Sequence, residues 1–203
     1  LAPRACRRAA PVHHGSVLYT TAAFGSINDP LRCSAEDRST PYRFPTTVNL
    51  INEGIKRLRA VGAEDLGPSQ HMTLWRGLRD VRLPPAFLSQ GGTEMAPMST
   101  TPRLDVAVRY SASVSSVLMK ITTHSFMERG ADLTFLSCFP AEAEILFPPL
   151  TYLQPVGEPS ELLISDLDLG DEVRESLMES AKRRGGDPTA EIRYTVLEVI
   201  PKI

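Results

Sequence analysis

Proline closes the apolar runs of this chain, and that punctuation limits its fold more than any other feature. Seventeen of the 203 residues are proline, about 8% against a usual value near 5%. Pro97, Pro102, Pro140 and the pair Pro148-Pro149 each end or flank a short apolar or hydroxyl-rich stretch. Proline fixes φ and removes a backbone donor, so a central strand must stop there. The chain therefore reads as many interrupted elements joined by ordered loops, not as a helical bundle.

Periodicity fills in the elements. Val48, Ile51, Ile55 and Leu58 recur at helical steps, which predicts a helix capped by Thr46 or Thr47 and ended by Gly62. Before it, Asn28-Asp29-Pro30 reads as a turn. Met72 to Gly77 reads as a strand stopping at the glycine, and residues 79–98, with Pro84, Pro85, Gly91, Gly92 and Pro97, as a loop-rich stretch. Ser99-Thr100-Thr101 is β-prone, and residues 104–110 suit a short helix. Val117, Met119 and Ile121 alternate as in a strand with one buried face. Phe126 to Ala131 turns through Gly130, and Leu133–Phe139, Glu144–Phe147 and Thr151–Val156 are strand-capable. Asp171–Arg184 is helical, with Val173, Leu177 and Ala181 on one face, and Gly185-Gly186 ends it. Ile192, Tyr194 and Val196 alternate before Pro201. Helices early and short strands late predict an α+β fold with a mixed or antiparallel sheet.

Length bounds this to one domain. We expect a loose tail over residues 1–15 and one domain over 16–203. With 22 Lys+Arg against 24 Asp+Glu, there is no basic excess for nucleic acid. Residues 157–191 tilt acidic, ten against four, and would repel phosphate. No apolar run approaches the roughly 20 residues of a membrane span. Cys6, Cys33 and Cys138 are far apart, with no CxxC or Cys/His cluster, so no metal site is expected. The first residue is Leu, which reads as a fragment or processed form, and no signal segment is visible. The compartment stays open.

Three short pieces carry chemistry. Trp75-Arg76-Gly77 ends a strand, where an arginine can grip a phosphate or carboxylate and a glycine admits a ligand to the backbone. Ser99-Thr100-Thr101 places residues 99 and 101 on one strand face and 100 on the other. Pro140-Ala-Glu142-Ala-Glu144 would place both carboxylates on one strand face, about 6.5–7 Å apart at Cα. Fourteen glutamates yield roughly one Glu-x-Glu by chance, so the pair alone carries little. Its context, an apolar strand running into a double proline, raises it.

In this order the three pieces resemble the R-S-E class of mono-ADP-ribosyltransferases, which includes cholera-like toxins and vertebrate arginine-specific ectoenzymes. Leu-Asp-Val-Ala, Val-Leu-Met-Lys-Ile and Glu-Ile-Leu-Phe-Pro-Pro are also similar to that family, over about residues 16–200. Thr101 stands where the family usually has serine, and Met98 replaces a common phenylalanine context. The resemblance implies an ADP-ribosyltransferase fold: two packed mixed or antiparallel sheets with N-terminal helices, acting as a monomeric catalytic domain.

It also implies the chemistry. NAD+ would be the co-substrate, with no metal, and a protein arginine the acceptor. Glu144 would stabilise charge at the ribose and Ser99 would orient it. Arg76 would bind the diphosphate, the Gly77 backbone the nicotinamide amide, and Thr100 and Thr101 would complete the nucleotide site; Arg103, just after the hydroxyl strand, reads equally as a contact to an NAD+ phosphate and as a surface residue. Glu142 would grip the acceptor guanidinium, since Glu-x-Glu accompanies arginine modification in the family. Phe135 or Phe139, within residues 128–141, would contact the acceptor. No Gly-x-Gly-x-x-Gly is present for a Rossmann site, and Arg76 stands where the His-Tyr-Glu class has histidine. His71 and His124 read as ordinary surface histidines, and Trp75 as core or pocket wall. An NAD+ glycohydrolase and a catalytically inactive NAD-binding module are the competing readings.

Overall fold

The structure is a computed structural model that describes residues 15–21, 23–33, 41–65, 71–111, 113, 116–183 and 192–203. After a helical stretch at 15–19 come α1 (Phe24–Arg32), α2 (Pro45–Asp65), β1 (Met72–Arg79), α3 (Pro85–Gln90), β2 (Gly92–Glu94), β3 (Met98–Thr100), α4 (Leu104–Ser111) and β4 (Ser116–Thr123). Then follow β5 (Ala131–Asp132), β6 (Ile145–Phe147), β7 (Thr151–Pro155), β8 (Ser160–Leu163), α5 (Asp171–Arg183) and β9 (Arg193–Lys202). Single 3₁₀ turns occupy Phe126–Glu128, Pro140–Glu142 and Ile164–Asp166.

Two sheets result. The larger runs β1-β4-β9-β7-β2, with β8 beside β7 on the same side of β9. All its pairings are antiparallel except β4 with β9. The smaller is the antiparallel set β3-β6-β5. Strand alternation sorts the apolar residues into three cores. Leu74, Met119, Ile121, Leu153, Leu197 and Val199 from the large sheet meet Met98, Ile145 and Phe147 from the small one. On the outer face of the large sheet, Leu118 and Tyr194 pack with Ala107 and Val108 of α4 and Leu177 of α5. On the outer face of the small sheet, Ala131 and Leu146 pack with Ile27 of α1 and Ile51 and Ile55 of α2. The order of layers is therefore helices, small sheet, large sheet, helices, an α+β arrangement with mixed and antiparallel sheets.

Several local expectations give way to packing. Asn28-Asp29-Pro30 lies inside α1 rather than in a turn, because Ile27 and Asn28 are buried there and Asn28 Nδ2 donates to the Tyr19 hydroxyl. α2 runs past Gly62 to Asp65. β1 does not stop at Gly77 but continues to Arg79, since β4 pairs with it along its whole length. The loop-rich stretch 79–98 holds α3 and β2. β4 is buried on both faces, Leu118 toward α4 and Met119 toward the small sheet. Residues 133–139 form a turn rather than a strand, closed by the Leu136 and Ser137 amides donating to the Leu133 carbonyl. The tail, apart from Gly15, and Cys6 and the Gly185-Gly186 stop lie outside the described residues.

Candidate active site

Where β1 meets β3, the two sheets touch. Trp75 and Thr101 exchange both backbone hydrogen bonds, at 2.7 and 2.9 Å. Around this junction opens a cavity of about 760 Å³, within the range that holds a sizeable organic ligand. Arg76, Gly77, Ser99, Thr100, Thr101, Phe139, Glu142 and Glu144 all line it. The three motifs, spread over 69 positions of sequence, thus meet in one hollow.

The register explains how. β3 and β6 pair Ser99 with Leu146 and Thr100 with Ile145. One step beyond the ladder brings Glu144 opposite Thr101, on the same face as Ser99. Diagonal neighbours on one face stand about 7–8 Å apart at Cα, within reach of a glutamate and a serine. The Ser99 hydroxyl stands beside the Glu144 carboxylate and favours its ionised form. Thr100, on the opposite face, donates to the Ile145 carbonyl at 2.7 Å and locks the two strands.

Glu144 is 7% exposed. Burial raises its carboxyl above the ordinary value, Ser99 opposes this, and the like charge of Glu142 raises it further. A protonated form is thereby favoured more than in water, and a cation arriving at the site would be drawn to the ionised form.

Glu142 and Glu144 do not share a strand. Pro140 starts a 3₁₀ turn that ends at Glu142, Ala143 takes a left-handed conformation (φ 50°, ψ 52°), and the strand begins only at Ile145. The fixed φ of Pro140 suits the first residue of a turn, so the sequence bends where an extended strand was expected. A left-handed alanine is strained by about 1–2 kcal/mol, and its surroundings hold it. The Thr101 hydroxyl donates to the Glu142 carbonyl at 2.6 Å, and Nη1 of Arg103 donates to the Ala141 carbonyl at 2.9 Å.

Arg76 lies on the face of β1 that looks toward the small sheet, with Leu74 and Leu78. Nη1 donates to the Ser99 carbonyl at 2.9 Å, and Nη2 stands 3.5 Å from the Glu94 carboxylate. Burial lowers its guanidinium and Glu94 opposes that; an arginine is a cation at neutral pH. Gly77 lines the cavity too, but its missing side chain serves the opposite side. A Cβ there would lie 2.1 Å from the Ala107 carbonyl oxygen and 2.8 Å from Ser111 Cβ, so α4 sits directly on the β1 backbone.

Two sequence-predicted residues stand apart from the cavity lining. Arg103 is held by Asp105 at 2.9 Å and by the Ala141 carbonyl, bracing the glutamate turn. Phe135 projects outward, 70% exposed. His71 and His124 face each other beyond the ends of β1 and β4, with Nδ1 atoms 3.1 Å apart, and also lie outside the lining.

Among the lining residues that were not foreseen are four with polar side chains that tie the site together: Tyr19, Arg32, Glu94 and Tyr110. Glu94 is the polar hub. It accepts a two-pronged bond from Arg32 at 3.0 and 3.2 Å and a third from the Ala96 amide at 3.0 Å. Tyr19 is buried, donates to the Pro97 carbonyl at 3.0 Å, and is pushed up to about 12 chiefly by that burial. No local pattern marks these residues, because every partner but one is distant in sequence. Among the described residues, no group of three or more His, Cys, Asp or Glu could hold a metal ion, and no helix is long and apolar enough to cross a membrane.

Neither a protein-family model nor a curated protein matches the sequence. Solved structures do match in shape. Plx2a, an ADP-ribosyltransferase toxin from Paenibacillus larvae, aligns over 95% of this chain and 86% of its own, with TM-score 0.61 and 13% identity. The ADP-ribosyltransferase Vis of Vibrio splendidus, in complex with agmatine, aligns over 96% and 75%, with TM-score 0.58 and 15% identity. Exoenzyme S from Pseudomonas aeruginosa, bound to carba-NAD beside human 14-3-3 protein beta, aligns over 93% and 72%, with TM-score 0.51 and 18% identity. With its two apposed sheets, outer helices and the cavity at their junction, the chain has the ADP-ribosyltransferase fold.

Proposed function

We propose that this chain is an R-S-E mono-ADP-ribosyltransferase, moving ADP-ribose from NAD+ to arginine side chains of a protein substrate and releasing nicotinamide. One observation carries the reading: Ser99 stands beside a buried Glu144 and favours its ionised form, and Arg76 binds the carbonyl of that same serine, in one cavity. Three motifs converging in this order and geometry support the class. Exoenzyme S was solved with carba-NAD and Vis with agmatine, a decarboxylated arginine; both ligands suit the same reading here.

The residues fit NAD+ by the chemistry of the donors. Arg76 offers charge-assisted bonds to a diphosphate, with Arg32 and Glu94 fixing the rim beside it. The Gly77 backbone is open to the cavity for the nicotinamide amide, and Thr100 and Thr101 hold the strand that carries Ser99. NAD+ supplies a cationic nicotinamide, which leaves neutral with the electron pair of the broken nitrogen–carbon bond and so needs no general acid. Glu144, ionised and aimed by Ser99, stabilises the positive charge that grows on the ribose carbon. An acceptor guanidinium arrives protonated, with a pKa above about 12. Glu142 grips it and takes the proton that leaves as the new nitrogen–carbon bond forms. Phe139, half in the cavity mouth, covers the acceptor's apolar stem, and Phe135 extends that surface outward. This is positioning and electrostatic chemistry, not attack by a protein nucleophile.

The test is nicotinamide release from NAD+. The native chain should release nicotinamide, and Glu144→Gln should lose at least a hundredfold while still binding NAD+ by calorimetry. Equal release by that variant would sink the assignment. Binding by the native chain with no turnover would favour the inactive-module reading.

A further inference from the structure

Within the cavity, the contact between Tyr110 and Glu142 has no part in the scheme above. Tyr110, on the last turn of α4, is half exposed, and its hydroxyl donates to Oε1 of Glu142 at 2.7 Å. Both residues line the same hollow. Each is held from behind. α4 lies against the bare backbone at Gly77, and Ser111 ties its end to the Ala107 and Val108 carbonyls. The Glu142 backbone is held twice, its amide donating to the Phe139 carbonyl at 3.0 Å and its own carbonyl accepting from Thr101. A donor on a packed helix therefore meets a carboxylate whose backbone is held on both sides. Burial, and then the hydrogen bond to Glu142, push the tyrosine up to about 12, so it stays a donor throughout the neutral range.

This pairing matters because a glutamate side chain has three rotatable bonds, and a free one would sample many directions. A neutral donor on one carboxylate oxygen fixes the plane of the group without cancelling its charge. It also leaves Oε2 to meet an incoming cation. A lysine or arginine in place of the tyrosine would have neutralised the carboxylate and competed with a cationic acceptor.

We propose that Tyr110 is a positioning residue for acceptor recognition: its hydroxyl holds the Glu142 carboxylate so that one oxygen is presented to a guanidinium. The inference rests on the transferase reading and adds to it a residue that sets the choice between guanidine and water. It acts through Glu142 and touches neither substrate itself.

The experiment compares the native chain, Tyr110→Phe, Glu142→Gln and the double variant. For each, nicotinamide release without acceptor and ADP-ribosyl transfer to agmatine are measured. Tyr110→Phe removes one oxygen from a half-exposed ring. It should raise the KM for agmatine roughly tenfold, the low end for a hydrogen bond to a charged group. The ratio of transfer to release should fall by a similar factor. In the Glu142→Gln background the same change should alter that ratio less than twofold, the non-additivity expected of residues in one unit. A merely structural tyrosine would lower both activities together and leave the ratio unmoved; that result overturns the inference alone. So does a full tenfold penalty in the Glu142→Gln background. Absence of nicotinamide release from the native chain overturns the transferase reading, and this inference with it.

Discussion

Burial at Glu144 has two opposed consequences for pH. Its carboxyl is raised by desolvation and by Glu142 and lowered by Ser99. In the proposed reaction ionised Glu144 stabilises a positive ribose carbon, so activity should fall as pH drops through the raised value, above the usual carboxylate range near 4.3. Ser99→Ala removes the hydroxyl that favours ionisation and should move this acid limb upward. Glu142→Gln removes a like charge and should move it downward. The pH profile of nicotinamide release checks both, and shifts of the same sign would contradict the electrostatics. Folding stability runs the other way. A carboxyl raised in the folded state costs nothing below its unfolded value, and destabilises increasingly as pH rises through the folded one. Glu144→Gln should therefore raise the melting temperature at pH 7 and gain little at pH 4. At this scale the sequence was legible where motifs are local. Ser99, Glu142, Glu144 and Arg76 stand in short runs, and all reach the cavity. Tyr110 and Glu94 line the same cavity but belong to no local motif; their partners lie 32 and 62 positions away, and only folding brings them together.

Elements show where local signals lose to packing. Gly77 reads as a strand stop and a ligand-access point, yet β1 passes through it and α4 rests on it. Gly77→Ala should thus cost at least about 1–3 kcal/mol by overpacking, a fall of roughly 2–10 °C in melting temperature for a chain of this size. Thermal unfolding by circular dichroism checks it, and an unchanged midpoint would mean that α4 shifts freely. Pro30 misled in the same way, since α1 is held by its buried Ile27 and Asn28 rather than by propensity. The glutamate turn is the reverse case. Pro140 did announce a break, but the left-handed Ala143 that follows has no signature in an alanine. By contrast the long amphipathic α2 and the alternating β9 were plain, because their period spans several turns or pleats, and β4 was plain as a strand though not in its two buried faces.

At the scale of the whole molecule, three separate cores build four layers, and the cavity lies where the two sheets join. The fold class was legible because the ordered motifs resembled a family, whereas composition alone stopped at an α+β domain. Ligand binding should couple to the whole structure, since the cavity draws side chains from the N-terminal helices, both sheets and α4. A non-cleavable NAD+ analogue at a hundred times its Kd should stabilise the chain by about 2.7 kcal/mol, or roughly 5–10 °C. Arg76→Ala should abolish most of that rise. An equal shift in the variant would place the nucleotide elsewhere.

The most direct measurement is the product itself. The purified chain, given NAD+ and agmatine, is followed by mass spectrometry for agmatine carrying one ADP-ribose. The native chain should form the adduct, Glu144→Gln should form essentially none, and Glu142→Gln should release nicotinamide with the adduct reduced at least tenfold more than the release. Adduct from Glu144→Gln at the native level would contradict the account, as would nicotinamide release by the native chain with no adduct at any agmatine concentration.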